Sequence, residues 1–242
     1  MHKYMENTEF ITVLNWFERE FINKNYLFLL LFHFKKMCYN FENYNITGGR
    51  MKKDLDFSSA EEIQKIALKS EKLREIMKME MGNIDFGSID SIQEYIDEYF
   101  SVFVHDGTLE FDEDFYMIEE GGVYFINGDF IINGKLDTYG ATTLCVTGNL
   151  TADEVIFCDA EYIIEKDLIV KNKLYLCDTD LWLEVKGKVE TPVIYSSIEE
   201  GRVKIGSISP DTKGIIIKSS YGITGKELFL KNLNLNEIII EE

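Results

Sequence analysis

Histidine and proline are scarce in this chain of 242 residues, which has three histidines and two prolines. No histidine follows His105, so the carboxyl-terminal half lacks the usual general base. This absence excludes the histidine-dependent acyl transfer of hexapeptide-repeat enzymes, and it leaves the cysteines of that half without a neighbouring base. We therefore expect no catalytic residue, no enzymatic activity and no cofactor.

Cysteine is also sparse and shows no metal-binding spacing. The four cysteines stand at positions 38, 145, 158 and 177 without a Cys-x-x-Cys pair, and the histidines at positions 2, 33 and 105 lie far from them in sequence. We predict no metal site. The last three cysteines fall in apolar segments of strand character, which is typical of buried, reduced thiols in a cytosolic protein.

Positive charge is in short supply, because 25 Lys and Arg residues face 43 Asp and Glu residues, for a formal net charge of −18. Such a field repels nucleic acid phosphates and anionic lipid headgroups, so we expect neither nucleic acid nor membrane as a partner. It attracts a basic protein, which is the partner we expect. The alternative is that the acidity only keeps the fold soluble.

Long apolar runs are missing as well. The run from Tyr26 to Phe34 is too short to span a bilayer. It also lies too far from the amino terminus, behind acidic residues, to be a secretory signal. We expect a cytoplasmic location.

What the sequence does contain is a repeat of the form apolar-x-Gly-polar-apolar. Its anchor positions are 128, 148, 166, 187, 206 and 225, with Lys166 in place of glycine in the third copy. The spacings of 20, 18, 21, 19 and 19 residues between these positions suit a parallel β-solenoid, in which each coil buries its apolar face against its neighbours.

Two segments precede the repeat. Residues 51–122 are expected to form a helical cap and a lead-in strand, because Ser58 and Ser59 precede Glu61 and Glu62 at capping-box spacing and apolar residues then recur at helical intervals. Residues 1–50 are expected to be disordered or to lie upstream of the true start, which we place at Met51. The alternative for them is an amphipathic helix from residue 8 to residue 34.

Three stretches carry a resemblance to a known family: Gly128 to Leu136, Val146 to Ala152 and Val185 to Val193. They resemble the Gly-Asp-Leu-x-Val-x-Gly repeats of short bacterial right-handed β-helix proteins and, distantly, those of the polymer-forming bactofilins. The resemblance implies a mainly β fold, here a right-handed parallel β-helix of about six coils over residues 123–242. It also implies a non-enzymatic role, and some such proteins act as immunity proteins beside toxins.

One stretch of the repeat is a candidate binding surface. Apolar Leu181 and Leu183 alternate with four other residues, so one strand face would carry the partner-binding residues Asp178, Asp180, Trp182 and Glu184. An exposed tryptophan among carboxylates suits a protein-binding hot spot. The opposite register, with Trp182 buried, stays equally open, and Tyr195 and Tyr221 mark the next candidate faces.

The leading functional hypothesis is therefore a protein-binding β-solenoid, specifically an immunity-type protein that neutralises a basic toxin domain. The first alternative is a self-assembling, bactofilin-like scaffold, for which homo-oligomers are expected. The second is a carbohydrate-active β-helix enzyme, although Arg202 is the sole arginine of the repeat region that could serve as a basic catalytic residue.

Overall fold

A computed structural model describes the chain from residue 57 to residue 241, except residues 82, 99–100, 118–121, 139–142, 159, 178–180, 199–200, 218–234 and 236. The expected extension over residues 1–50, and the proposed start at Met51, lie outside the described residues. So do Asp178, Asp180, Tyr221 and the sixth repeat anchor, Gly225.

Three helices open the described chain: α1 (Ala60–Ala67), α2 (Glu71–Met81) and α3 (Ile89–Glu98). The predicted capping box is present at the start of α1. The Ser59 hydroxyl accepts a hydrogen bond from the Glu62 amide, and the Glu62 carboxylate accepts one from the Ser59 amide. Each helix buries an apolar stripe, which includes Ile63 in α1, Leu73 in α2 and Ile92 in α3.

Fourteen strands follow among the described residues, and all their pairings are parallel. Their bounds are β1 (Ser101–Asp106), β2 (Leu109–Phe111), β3 (Phe115–Tyr116), β4 (Gly122–Asn127), β5 (Phe130–Asp137), β6 (Thr143–Val146), β7 (Leu150–Cys158), β8 (Glu161–Ile164), β9 (Leu168–Cys177), β10 (Leu181–Glu190), β11 (Val193–Ser196), β12 (Gly201–Ile208), β13 (Lys213–Ile217) and β14 (Glu237–Glu241).

These strands stack as a β-solenoid with three faces, which confirms the predicted fold class. The first face consists of β1, β4, β6, β8 and the first halves of β10 and β12. The second face contains β2, the first parts of β5, β7 and β9 and the ends of β10 and β12. The third face contains β3, the ends of β5, β7 and β9, then β11, β13 and β14. Side chains from the three faces meet in one buried apolar interior.

The stack begins one coil earlier than the repeat pattern suggested. Strands β1, β2 and β3 form a first tier, and each of them pairs with the tier that follows. Six strands therefore lie along the first face, and the chain makes about five turns from β1 to β12. Gly107 holds the anchor position of this first tier, since its amide donates to the Asn127 carbonyl at 3.2 Å.

The corner between the first two faces explains why the repeat is anchored by glycine. A Cβ on Gly148 would lie 2.5 Å from the Gly128 carbonyl oxygen of the tier before it, and one on Gly187 would lie 2.6 Å from that of Lys166. Real Cβ atoms essentially never come so close to another heavy atom. Glycine is needed at these positions because the backbones of successive tiers stack too closely to admit a Cβ.

A ladder of side chains runs beside these glycines. The Asp129 carboxylate accepts from the Asn149 amide at 2.7 Å, and the Asn149 side-chain oxygen accepts from the Asp167 amide at 3.2 Å. The Asp167 carboxylate then accepts from the Lys188 amide at 2.7 Å. These three residues thus serve the turns of the solenoid.

The helices lie at the amino-terminal side of the solenoid and cover part of its flank. Their buried side chains join a second apolar cluster with outward residues of the first face, namely Val102, Val104, Val123, Phe125, Cys145 and Ile163. The helical segment is therefore a lateral layer over the first four tiers of that face. The predicted helical cap is thus present at the amino-terminal side of the solenoid.

The open edge of β1 is covered by the residues that precede α1. The Ser58 amide donates to the Val102 carbonyl at 2.8 Å, and the Ser58 hydroxyl accepts from the Val104 amide at 3.0 Å. These bonds satisfy edge groups that would otherwise attract another strand. Across the described part of the chain, the helices fall short of the length and hydropathy that crossing a membrane requires.

Candidate functional site

The outer side of the first face changes character along the stack. Two rows of outward residues run across its tiers, and each row is in strict register from β1 to β12. In the first four tiers these rows are largely apolar and lie beneath the helices. In the last two tiers they consist of Trp182, Glu184, Arg202 and Lys204, which we name the Trp182 patch.

Trp182 stands outward on β10 and is 41% exposed. Its neighbours Leu181 and Leu183 are fully buried in the interior, as strand alternation requires. The register that the sequence left open is therefore settled with the tryptophan outside. The Trp182 amide donates to the Ala160 carbonyl at 3.0 Å, which holds this strand start to the preceding tier.

Arg202 is the direct ladder neighbour of Trp182 on the next tier. Its guanidinium carbon lies 5.1 Å from the centre of the Trp182 ring. This distance suits a cation–π contact, which stabilises exposed pairs by about 0.5–1 kcal/mol. The contact orients the indole.

Glu184 has an equivalent neighbour in Lys204. The Lys204 ammonium donates to the Glu184 carboxylate at 2.6 Å. This hydrogen bond holds the pKa of Glu184 below its ordinary value of 4.5, and the positive charges of Lys204 and Lys186 act in the same direction. The carboxylate is 22% exposed whereas the lysine is 79% exposed, so the cation faces solvent.

A second charged group ties this region to the helical layer. Lys186 donates to the Glu165 carboxylate at 2.5 Å, and Lys72 of α2 lies 3.5 Å from the other oxygen of the same carboxylate. The hydrogen bond with Glu165 raises the pKa of Lys186. The helices are thus fixed beside the Trp182 patch by an ion pair as well as by apolar packing.

The local charge of the patch differs from the acidic surface that the sequence suggested. Trp182 and Glu184 lie on one outward face, as predicted, while Asp178 and Asp180 fall outside the described residues. The described patch has more positive than negative charge, since Arg202 and Lys204 accompany Glu184. Sequence reasoning did not place these two cations beside Trp182 and Glu184, because they lie one coil further on, although the repeat period could have pointed to them.

The acidic run of the first tier lies elsewhere. Glu110, Asp112, Glu113 and Asp114 are all exposed around β2 and the turn that follows it. The Asn133 side-chain amide donates to Glu110 at 3.2 Å and to Asp112 at 3.0 Å, and Asp114 accepts from the Lys135 amide. In the described residues, no group of three or more His, Cys, Asp or Glu side chains could hold a metal ion.

Cys145 is poorly suited to nucleophilic chemistry. It lies fully buried between the first face and the helices, and burial raises the pKa of its thiol to about 12. The nucleophilic species is the thiolate, which is scarce at neutral pH for such a group. This cysteine is part of the packing between the two layers.

Comparison with known proteins returns no match to a family model, to a curated protein or to a solved structure. The class of the protein, a parallel β-solenoid with a lateral helical layer, is defined by the coordinates.

Proposed function

We propose that this protein acts by binding another protein, and that the Trp182 patch is the centre of the contact. The observation that carries the proposal is the exposure of Trp182, held by Arg202 where the helical layer no longer covers the first face. Tryptophan and arginine are the residues most enriched among those that dominate binding energy at protein interfaces.

The rigidity of the patch favours binding. Both rows are set by the β10–β12 ladder, and the Trp182 ring and the Glu184 carboxylate each have a fixed partner. Side chains that are already ordered lose less conformational entropy when a partner docks. An ordered surface with one large aromatic ring therefore offers affinity at low cost in entropy.

The charge of the whole chain supports a basic partner. The net charge of −18 attracts cations over long distances, although the Trp182 patch itself carries lysine and arginine. In this proposal the overall negative field speeds the association of a basic partner, and the Trp182 indole holds the partner once it is bound. The specific form of the proposal is an immunity-type protein that neutralises a basic toxin domain.

Two features weigh against the alternative of a head-to-tail scaffold. Ser58 occupies the edge of β1 that a second copy would have to extend. The rest of the first tier is bordered by four exposed carboxylates, Glu110, Asp112, Glu113 and Asp114. An acidic chain that stacks on this end would meet like charge, so a discrete particle is favoured.

The test is co-expression. The product of a basic toxin gene next to this one would be expressed in a host cell alone, with this protein, and with Trp182→Ala/Arg202→Ala. We expect protection by the native protein and loss of protection by the double variant. The control Lys171→Ala changes an exposed residue on a different strand and should protect fully.

Three results would contradict the proposal. Full protection by the double variant would exclude the patch as the contact. A lack of binding to any such toxin domain would exclude the immunity role. Filaments in light scattering at micromolar concentration would favour the scaffold instead.

A further inference from the structure

Two cysteines stand side by side on the third face. Cys158 is the last residue of β7, Cys177 is the last residue of β9, and the two are direct partners in the parallel ladder between these strands. Both are thiols in this structure. Neighbouring strands lie about 4.8 Å apart, which falls within the Cα separation of about 4.4–6.8 Å that a disulfide spans.

Both side chains point to the same side of the sheet. The preceding residues, Phe157 and Leu176, are fully buried in the solenoid interior. Strand alternation therefore directs Cys158 and Cys177 outward, and neither belongs to the apolar clusters. A disulfide between them requires the two Cβ atoms to approach to about 3.5–4.5 Å.

We infer that Cys158 and Cys177 form a reversible modification site, at which a low-molecular-weight disulfide such as oxidised glutathione joins two successive tiers. This inference is independent of the proposed binding function. It differs from the sequence expectation of inert, buried thiols, because two of the three described cysteines fall in register on adjacent tiers.

The exposures set the order of the two steps. Cys177 is half-buried whereas Cys158 is 5% exposed, so the Cys177 thiolate reacts first. It attacks one sulfur of oxidised glutathione, the glutathione S–S bond breaks, and one glutathione leaves as a thiolate that takes up a proton. The Cys158 thiolate then attacks Cys177 in the mixed disulfide and expels the second glutathione. Two protein thiols are oxidised and one glutathione disulfide is reduced.

The cross-link would close a loop of one coil and join the third and fourth tiers. A loop of this size loses considerable entropy in the unfolded chain, so oxidation stabilises the folded stack. We expect the midpoint of thermal unfolding to rise by roughly 5–10 °C. A reducing dithiol should reverse the rise.

The experiment treats the full chain with oxidised glutathione, counts thiols after denaturation, and maps tryptic peptides. We expect two of the four thiols to disappear. Trypsin cleaves after Lys166, Lys171 and Lys173, which separates the two cysteines, so the cross-link joins two fragments. The same fragments should be joined in Cys145→Ser, which removes the other cysteine of the first fragment.

Single variants test the order of reaction. Cys158→Ser should accumulate one stable glutathione adduct on Cys177, whereas Cys177→Ser should form neither the adduct nor the cross-link. Retention of all four thiols by the native chain would overturn the inference, as would a cross-link to Cys38 or between two copies. A stable adduct on Cys158 in Cys177→Ser would overturn the proposed order.

Discussion

The Arg202 guanidinium lies 5.1 Å from the centre of the Trp182 ring, and the two residues are direct ladder neighbours on successive tiers. Twenty residues of chain separate them, about one coil of the solenoid. The pair lies where the helical layer ends. The Trp182 side chain is therefore exposed, whereas outward side chains of earlier tiers are buried under the helices.

Truncation of Trp182 should leave the fold intact. We expect Trp182→Ala to lower the free energy of unfolding by less than about 1 kcal/mol, because it removes one exposed cation–π contact. Leu183→Ala, one position along the same strand, should cost about 2–5 kcal/mol, because Leu183 is fully buried. Urea denaturation of both variants measures the difference. Equal losses would contradict the outward register.

Removal of the partner of Glu184 should alter the dependence of stability on pH. The folded-state pKa of Glu184 lies below 4.5, so its contribution is fully present above the unfolded pKa and is lost as pH falls through the folded pKa. Lys204→Met should therefore lower the free energy of unfolding at neutral pH, by less than about 1 kcal/mol for so exposed a lysine.

This difference between native and Lys204→Met proteins should shrink as the pH falls below 4.5. Denaturation curves at a series of pH values measure it. Lys188→Met, which removes an exposed partner of Glu190 at a different position, is the matched control. A loss that persists unchanged in acid would show that Lys204 contributes through packing.

Gly148 should tolerate no side chain at its corner of the solenoid. Gly148→Ala would place a Cβ 2.5 Å from the Gly128 carbonyl oxygen and would also meet the Asp129 carboxylate. We expect it to cost about 1–3 kcal/mol or more, because the backbone of two tiers must shift.

Gly87→Ala is the control for this change. Its Cβ would meet only the Asp85 carboxylate, at 3.1 Å, and this side chain can move. Its cost should stay below about 1 kcal/mol. Thermal unfolding of the two variants distinguishes them, and equal midpoints would contradict the stacking explanation of the repeat.

The edge cover at β1 should depend on one hydroxyl. Ser58→Ala removes the acceptor for the Val104 amide and should cost about 1 kcal/mol. Hydrogen exchange at the Val104 amide should become faster. Ser59→Ala removes the cap of α1 at a similar cost, but should leave Val104 exchange unchanged once global stability is matched. Unaltered Val104 exchange in Ser58→Ala would show that the Ser58 hydroxyl does not protect the edge of β1.

Association with a basic partner should slow as salt rises. Exposed charges farther apart than about 8 Å are largely screened at physiological ionic strength, and the steering proposed here acts over such distances. Stopped-flow association rates at several salt concentrations measure this. Trp182→Ala should mainly raise the dissociation rate, and a salt-independent association rate would refute steering by the acidic field.

Much of the fold was predictable from local pattern. The glycine period predicted the coils from β4 to β12, because a carbonyl of the preceding tier leaves no room for a Cβ at the corners that carry glycine, such as Gly148 and Gly187. The Ser59 capping box gave the start of α1. The first tier was missed because His105 occupies the place where later copies have an apolar residue such as Ile126, although Gly107 keeps the spacing.

The sequence by itself determined that this chain winds into parallel coils. The period of the glycines and the alternation of apolar residues depend only on neighbours along the chain and on the adjacent tier. Tertiary structure decided which outward side chains meet. Only the stacking register places Arg202 over Trp182 and Cys158 beside Cys177. Only the docking of the helices determines that Phe125 is buried while Trp182, on the same outer face, is exposed. Contacts between residues a whole coil apart depend on the exact number of residues in each turn, and local propensity does not fix that number.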